Sequence, residues 1–265
     1  MSARSRVAAP RRGARVRRRG GTTRTVLLGV LVVAAAAVCV RLGIWQLDRL
    51  AQRRAYNASV AARFDAGAEP LVDALARDTA DARWRRVRAR LVPDYAREVV
   101  LASRSLNGSP GVWIVTPAPT GQGDTLVAWV RGWVYSANGR TVDLSEWREA
   151  DTVDVDARVD AFHRPAQGAV RLPSDARAFR WLERDTLAAE WGAPVASMLL
   201  YQLGDTLGGH ASTGGRVPAR FPLPTMDEGP HRSYAIQWFS FATVFVVGYG
   251  AVIASGRRRS RAGSA

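Results

Sequence analysis

Two long apolar runs, one near each end of the chain, limit its possible folds more than any other feature. The first run extends from Thr25 to Trp45 and the second from Ala235 to Ser255, and each is 21 residues long. A helix of this length spans about 31 Å, which is enough to cross the hydrocarbon core of a bilayer. The one charge within them, Arg41, lies near the end of the first run, where its side chain can reach the headgroups. The sequence therefore predicts two transmembrane helices.

Excess positive charge lies outside these runs and at their ends. Nine arginines precede the first run and four follow the second, whereas residues 42–230 hold 23 arginines and all 23 acidic residues. A nucleic-acid-binding domain would instead place its basic residues on a folded face, so no nucleic-acid partner is expected. Arginines that flank apolar helices are typical of the cytoplasmic side of a membrane. We therefore expect both termini in the cytoplasm and the middle of the chain outside it.

These patterns divide the chain into five expected segments in the bacterial cytoplasmic (inner) membrane, with membrane lipid as a partner. They are a basic cytoplasmic tail (1–24), transmembrane helix 1 (25–45), an extracytoplasmic α+β domain (46–230), transmembrane helix 2 with its outer approach (231–255) and a second basic cytoplasmic tail (256–265). A cleaved signal peptide is the alternative for the first run, but the run is longer than a typical signal core and no small-residue cleavage site precedes Trp45. A mitochondrial presequence is a further alternative, and only 24 residues precede the run.

In the middle of the chain, apolar residues recur at every second position. Apolar and charged residues alternate in 86–91 and 152–161, which is typical of half-buried strands. Segments 98–102, 112–116 and 125–135 are rich in Val, Leu and Trp, turn sequences separate them, and 195–203 is a further candidate strand. The predicted fold class is a membrane-anchored α+β protein. Its two transmembrane helices flank a mainly antiparallel β domain (sheet or small barrel) with few helices.

Two finer predictions concern this domain. Phe179, Leu182, Leu187 and Trp191 recur at helical spacing, so we expect a helix capped by Ser174 and ended by Gly192. The arginines of 86–91 and the aspartates of 152–161 are most simply the solvated faces of two strands, and we also consider that they pair across neighbouring strands. Segment 207–215 is rich in glycine and contains no motif.

The sequence contains few residues arranged for catalysis. It has no Gly-x-Ser-x-Gly motif and no glycine-rich phosphate loop, so we expect no enzyme activity and no catalytic residues. Its single cysteine, Cys39, lies in the first run and permits no internal disulfide. Of the three histidines, His163 and His210 are most simply turn and loop residues.

His231 differs because it lies four residues before the second run. On a helix it shares one side with Tyr234 and Trp238, and the first run ends at the same membrane level with Trp45 and Gln46. Imidazole is an axial ligand of haem iron, aromatic rings stack on flat ligands, and arginines such as Arg232 neutralise carboxylates. A haem site with His231 as the metal ligand is one interpretation; an ordinary polar residue at the start of a span is the other.

Three motifs resemble one known family. The segment Leu42-Gly43-Ile44-Trp45-Gln46-Leu47-Asp48-Arg49-Leu50 resembles the signature that follows the first span in the Surfeit locus protein 1 family. Val130-Arg131-Gly132-Trp133-Val134 resembles its internal strand motif, and residues 231–242, from His231 to Ala242, are similar to the opening of its second span. The resemblance extends over nearly the whole chain beyond the basic tail.

The resemblance implies an assembly factor for haem–copper cytochrome c oxidase that aids insertion of haem a into subunit I. Expected partners are therefore subunit I and the haem a synthesis machinery, and haem a is a transient cofactor. In the family, the histidine that matches His231 is the proposed haem ligand. The alternatives are a scaffold that stabilises nascent subunit I without binding haem and, less simply, a membrane-anchored extracytoplasmic enzyme.

Overall fold

The computed structural model describes residues 20–162, 171–172, 177–204 and 216–262, with the backbone alone at 20–22 and 260. The predictions for Ser174, His163, His210 and segment 207–215 lie outside these residues. The chain forms two compact units: a helical unit of Met1–Arg54 with Glu228–Ala265, and a sheet unit of Ala55–Asp227.

The helices are α1 (Gly20–Asp65), α2 (Leu71–Leu75), α3 (Thr79–Ala82), α4 (Arg184–Trp191) and α5 (His231–Ala262). The strands are β1 (Ala68–Pro70), β2 (Arg86–Leu91), β3 (Val99–Leu106), β4 (Ser109–Pro119), β5 (Leu126–Tyr135), β6 (Val153–Ala161), β7 (Ala178–Phe179) and β8 (Val195–Gln202). Short 3-10 turns occur at Tyr95–Arg97 and Leu144–Trp147. Helix α1 extends without a break beyond the first apolar run to Asp65.

The two apolar runs lie in α1 and α5, which are long and apolar enough to cross a membrane. The helices are antiparallel, because His231 at the start of α5 contacts Gln46, whereas Tyr249 later in α5 donates to the carbonyl of Thr25 near the start of α1, at 2.7 Å. Most of their Val and Leu side chains are exposed within the structure, as expected for side chains that contact lipid. The five-segment division of the chain itself stays a prediction.

Small residues let α1 and α5 approach each other. A Cβ atom placed on Gly43 would lie 2.7 Å from the Phe239 ring, so only glycine fits there without a shift of that ring. Ala36, Cys39 and Ala242 pack together nearby. In contrast, nothing in the described structure lies within 4 Å of a Cβ placed on Gly250, so this glycine is not at a close helix contact.

The strands of the sheet unit form one mixed sheet in the order β1-β2-β6-β8-β5-β4-β3-β7. Four neighbouring pairs are antiparallel and three (β1–β2, β5–β8 and β3–β7) are parallel. The expected α+β domain with a β-sheet is therefore confirmed; antiparallel pairs are the majority, although the sheet is mixed. In the described residues no pairing of β1 with β7 closes a small barrel. The parallel pairings were not predicted because β1, β7 and β8 pair with strands that local sequence patterns do not identify.

The charged stripes of β2 and β6 pair as considered from the sequence. The strands are antiparallel neighbours in which Arg88 lies opposite Asp156 and Arg90 opposite Asp154. Arg86 Nη2 lies 2.5 Å from an Asp156 oxygen, and Arg90 Nε lies 3.3 Å from an Asp154 oxygen. The Arg90 pair is largely exposed, so its contribution to stability is below about 1 kcal/mol.

Both faces of the sheet are covered by apolar residues. On one face, α2 and α3 pack on strands β2, β6 and β8 through residues such as Leu71 and Ala82. On the other, α4 contributes Leu187 and Trp191. The predicted helix is correct at its end, where Gly192 adopts φ 63°, but it begins only at Arg184. Phe179, assigned to that helix from spacing, lies in β7, because pairing with β3 overrides a weak helical pattern.

Candidate functional site

His231 is the first residue of α5, and its imidazole faces α1. Its Nδ1 lies 2.9 Å from the side-chain oxygen of Gln46. Because an amide oxygen only accepts hydrogen bonds, this contact is satisfied by the tautomer that carries its proton on Nδ1. In the neutral ring, Nε2 then carries the lone pair that is needed to bind a metal. The structure thus brings together two of the residues predicted for the site.

A glycine lies beside the free edge of this ring. Gly229 adopts φ 69°, a backbone conformation that residues other than glycine rarely take. A Cβ placed there would lie 3.6 Å from His231 Nε2, in van der Waals contact with this edge of the ring. Gly229 therefore leaves Nε2 open to a ligand.

The other predicted aromatic residues divide into two groups. Trp45 and Tyr234 are each 47% exposed, so both rings present a face to their surroundings. The Arg49 guanidinium lies over the Trp45 ring, 5.5 Å from its centroid. Trp238 is only partly buried and packs against Ala36, Cys39 and Ala242 between the helices, with its ring edge toward Phe241.

Arg232 is exposed on the first turn of α5, beside His231 in sequence. It therefore offers a charge that solvent or a carboxylate can reach. No group of three or more histidine, cysteine or acidic side chains able to hold a metal ion occurs in the described residues. His231 is thus a candidate for a single axial bond to a metal already held in a cofactor.

The internal motif 130–134 contains a buried ionic network that was not evident from the sequence. The Arg131 side chain is fully buried and donates to Glu98 Oε1 at 2.5 Å, to Glu149 Oε1 and to the carbonyl of Trp147. Thr116 donates to the same Glu98 oxygen at 2.5 Å. Burial raises the pKa of Glu98, and the Arg131 charge opposes that shift. The one signal in the sequence is an arginine within an otherwise apolar strand.

The glycine and tryptophan of this motif hold a returning segment of the chain. Gly132 has φ 152°, and a Cβ there would overlap the carbonyl oxygen of Ala219. Trp133 exchanges two backbone hydrogen bonds of 2.8 Å with Ala219. Arg220 donates to the carbonyl of Arg131 at 2.8 Å and to Glu149. The motif therefore binds segment 216–221, which leads toward α5.

A sheet unit between two apolar helices in sequence defines a class of membrane protein. A model of the SURF1 family matches residues 33–243, and the chain belongs to this family, which is linked to cytochrome oxidase assembly. The chain is also similar to SURF1-like proteins of Mycobacterium bovis and Mycobacterium tuberculosis. Each is 28% identical over 247 residues, which cover 89% of this chain and 87% of the relative.

Proposed function

We propose that this protein carries haem a during assembly of haem–copper cytochrome c oxidase and delivers it to subunit I. The observation that carries the proposal is the contact between His231 Nδ1 and Gln46, because it leaves Nε2 as a free metal ligand. Membership of the SURF1 family supports the oxidase as the assembly that is served. The haem a synthesis machinery is then the donor and subunit I the acceptor.

The residues around His231 fit a flat apolar ligand with carboxylates. Haem iron supplies one or two axial positions, and imidazole nitrogen is a common ligand there. Trp45 and Tyr234 offer exposed ring faces for stacking, and Arg232 and Arg49 offer exposed charges for carboxylates. A single axial histidine suits a carrier, because one exchangeable bond to the haem iron can hold the haem during transport and can break on delivery.

The proposed location is the bacterial cytoplasmic membrane, with both termini inside and the sheet unit outside. The arginine clusters before α1 and at the end of α5 support this orientation. A carrier requires binding and release rather than bond chemistry, so no catalytic residue is assigned.

The test is co-production of the full chain with haem a synthesis enzymes, followed by purification in detergent. Haem a per chain is measured by absorption spectroscopy for the wild type, His231→Ala and His210→Ala. We expect stoichiometric haem in the wild type and His210→Ala, and a loss of at least about tenfold in His231→Ala. Equal retention in both variants would exclude His231 as the ligand. A folded wild type without haem would favour the scaffold that stabilises subunit I.

A further inference from the structure

An irregular stretch of β3 places one arginine among aromatic rings of the sheet unit. The β3–β4 pairing shifts register between Leu101 and Arg104, and Ser103 within the shift has φ 58°. Such bulges turn a side chain away from the regular alternation, and they occur often beside functional sites. Here the bulge lies directly before Arg104.

The Arg104 side chain contacts two tryptophan rings. Its guanidinium carbon is 5.0 Å from the ring centroid of Trp113 and 5.4 Å from that of Trp181. The Trp133 indole donates to the Arg104 carbonyl at 3.2 Å. Trp113, Trp133, Trp181, Tyr201 and Phe221, together with Arg104, are called the Arg104 patch below.

Aromatic rings of the patch pack against one another although they are distant in sequence. Trp113 meets Phe221 edge to face at 5.0 Å and Tyr201 at 5.9 Å. Tyr201 and Phe221 also meet at 5.0 Å. Trp181 is 38% exposed, so the patch reaches the surface. Tryptophan, tyrosine and arginine are the residues enriched at the energetic centres of protein interfaces.

Arg104 has no acidic partner among the described residues. Its Nη2 donates to the carbonyl of Arg180 at 3.2 Å, and within the same residues its buried Nε has no acceptor. Burial lowers the pKa of Arg104, and the neighbouring Arg180 charge lowers it further. Arg158, which lies over Tyr201, differs because Asp160 neutralises it at 2.8 Å. The patch thus contains a half-buried cation whose charge is not compensated.

We propose that the Arg104 patch is a docking surface for a partner protein that inserts an aspartate or glutamate carboxylate beside an apolar side chain. The guanidinium lies over two tryptophan rings and its Nε has no acceptor among the described residues, so it retains N–H groups that can donate to a carboxylate. An acidic side chain supplies the missing negative charge, and the rings supply apolar contact. The proposal does not depend on haem binding at His231.

The test uses the full chain in detergent, labelled with 5-fluorotryptophan and observed by ¹⁹F NMR. Trp113→Phe and Trp181→Phe assign the two resonances. The probe is the peptide acetyl-Glu-Leu-Glu-Leu-amide, and its isostere acetyl-Gln-Leu-Gln-Leu-amide lacks the charge. We expect the acidic peptide to shift both resonances, and Arg104→Gln to raise its Kd about tenfold. Arg140→Gln, which removes an exposed arginine outside the patch, should leave the Kd unchanged.

Several results would overturn this proposal: equal shifts with the isostere, an equal loss in Arg140→Gln, or no shift with either peptide. Shifts with phosphatidylglycerol bicelles but not with the acidic peptide would assign the patch to lipid instead. If Arg104→Gln does not fold, Trp181→Ala provides the second variant, because Trp181 is the ring through which the patch reaches the surface; it should also weaken the binding of the peptide. His231→Ala should bind the peptide as the wild type does, which separates this test from that of the haem carrier.

Discussion

At the scale of single residues, the contact between His231 and Gln46 bears most directly on the proposed haem binding. The two residues are 185 positions apart, yet an amide oxygen fixes which imidazole nitrogen holds the proton. Groups that orient a metal-binding histidine contribute strongly to affinity, although they never touch the metal. Gln46 is therefore a positioning residue for His231.

Gln46→Leu should lower haem a retention about tenfold while the chain stays folded, because the imidazole loses its fixed tautomer and orientation. Gln46→Glu keeps an acceptor and should restore much of the retention. Haem stoichiometry and the Soret maximum are the measurements. Ser59→Ala is the control, since Ser59 lies on the same helix and bonds to the carbonyl of Tyr56 rather than to His231. A Gln46→Leu protein with wild-type haem content would contradict the positioning role.

At the scale of elements, the motif 130–134 in β5 joins parts of the sheet unit that are distant in sequence. Arg131 links β5 to Glu98 before β3 and to Glu149, while Gly132 and Trp133 hold segment 216–221. The motif is therefore structural: it neutralises buried charges and fixes the segment that leads to α5.

Gly132→Ala should lower the free energy of unfolding by about 2–3 kcal/mol, because the new methyl group overlaps the Ala219 carbonyl and the backbone angle is unfavourable. Gly121→Ala is the control. It has φ 79°, but nothing lies within 4 Å of its added methyl group, so about 1 kcal/mol is expected from backbone strain alone. Denaturant unfolding followed by tryptophan fluorescence measures both. Equal losses would show that the approach of Ala219 is not tight.

The buried Glu98 predicts a pH dependence of stability. Burial raises its folded-state pKa, so the folded protein keeps a proton that the unfolded chain has already lost. This contribution to stability is complete below the unfolded pKa of about 4.3 and is lost as pH rises through the folded pKa. The stability of the wild type relative to Glu98→Gln should therefore fall as pH rises between these two pKa values, by about 1.4 kcal/mol for each pH unit.

Thermal unfolding between acidic and neutral pH measures this difference. Glu146→Gln is the control, because Glu146 forms an exposed ion pair with Arg216 and should show no such trend. If the wild type instead gained stability over Glu98→Gln with rising pH, the Arg131 charge would outweigh the effect of burial.

At the scale of the whole molecule, charge and hydropathy along the sequence predict the membrane orientation. Two cysteine variants test this orientation. Tyr135→Cys replaces an exposed residue of the sheet unit, and Arg258→Cys replaces a residue in the last turns of α5. A membrane-impermeant maleimide applied to intact spheroplasts should label Tyr135→Cys directly and Arg258→Cys only after lysis. Cys39 is buried, so the wild type is a control with little background. The reverse labelling pattern would contradict cytoplasmic termini.

Much of this architecture could be predicted because it rests on local patterns. Alternating residues identify β2 and β6, and a long apolar run identifies each membrane-length helix. The two-residue strand β7 and the parallel pairing of β5 with β8 could not be predicted, since they depend on partners far away in sequence. The proximity of Gln46 to His231 is expected from two antiparallel helices, whereas the hydrogen bond depends on side-chain geometry that the sequence does not reveal.

The hold on segment 216–221 also determines how the sheet unit responds to mechanical load. A pull applied at Asp227 first loads the 3.1 Å hydrogen bond from the Asn57 side chain to the Asp227 carbonyl. It then loads the hydrogen bonds of Phe221, Arg220 and Ala219. These bonds attach the segment to Gln202 at the end of β8 and to Arg131 and Trp133 of β5, which are neighbouring central strands of the sheet. A pull on this end of the sheet unit is therefore shared between two central strands and is not borne by an edge strand.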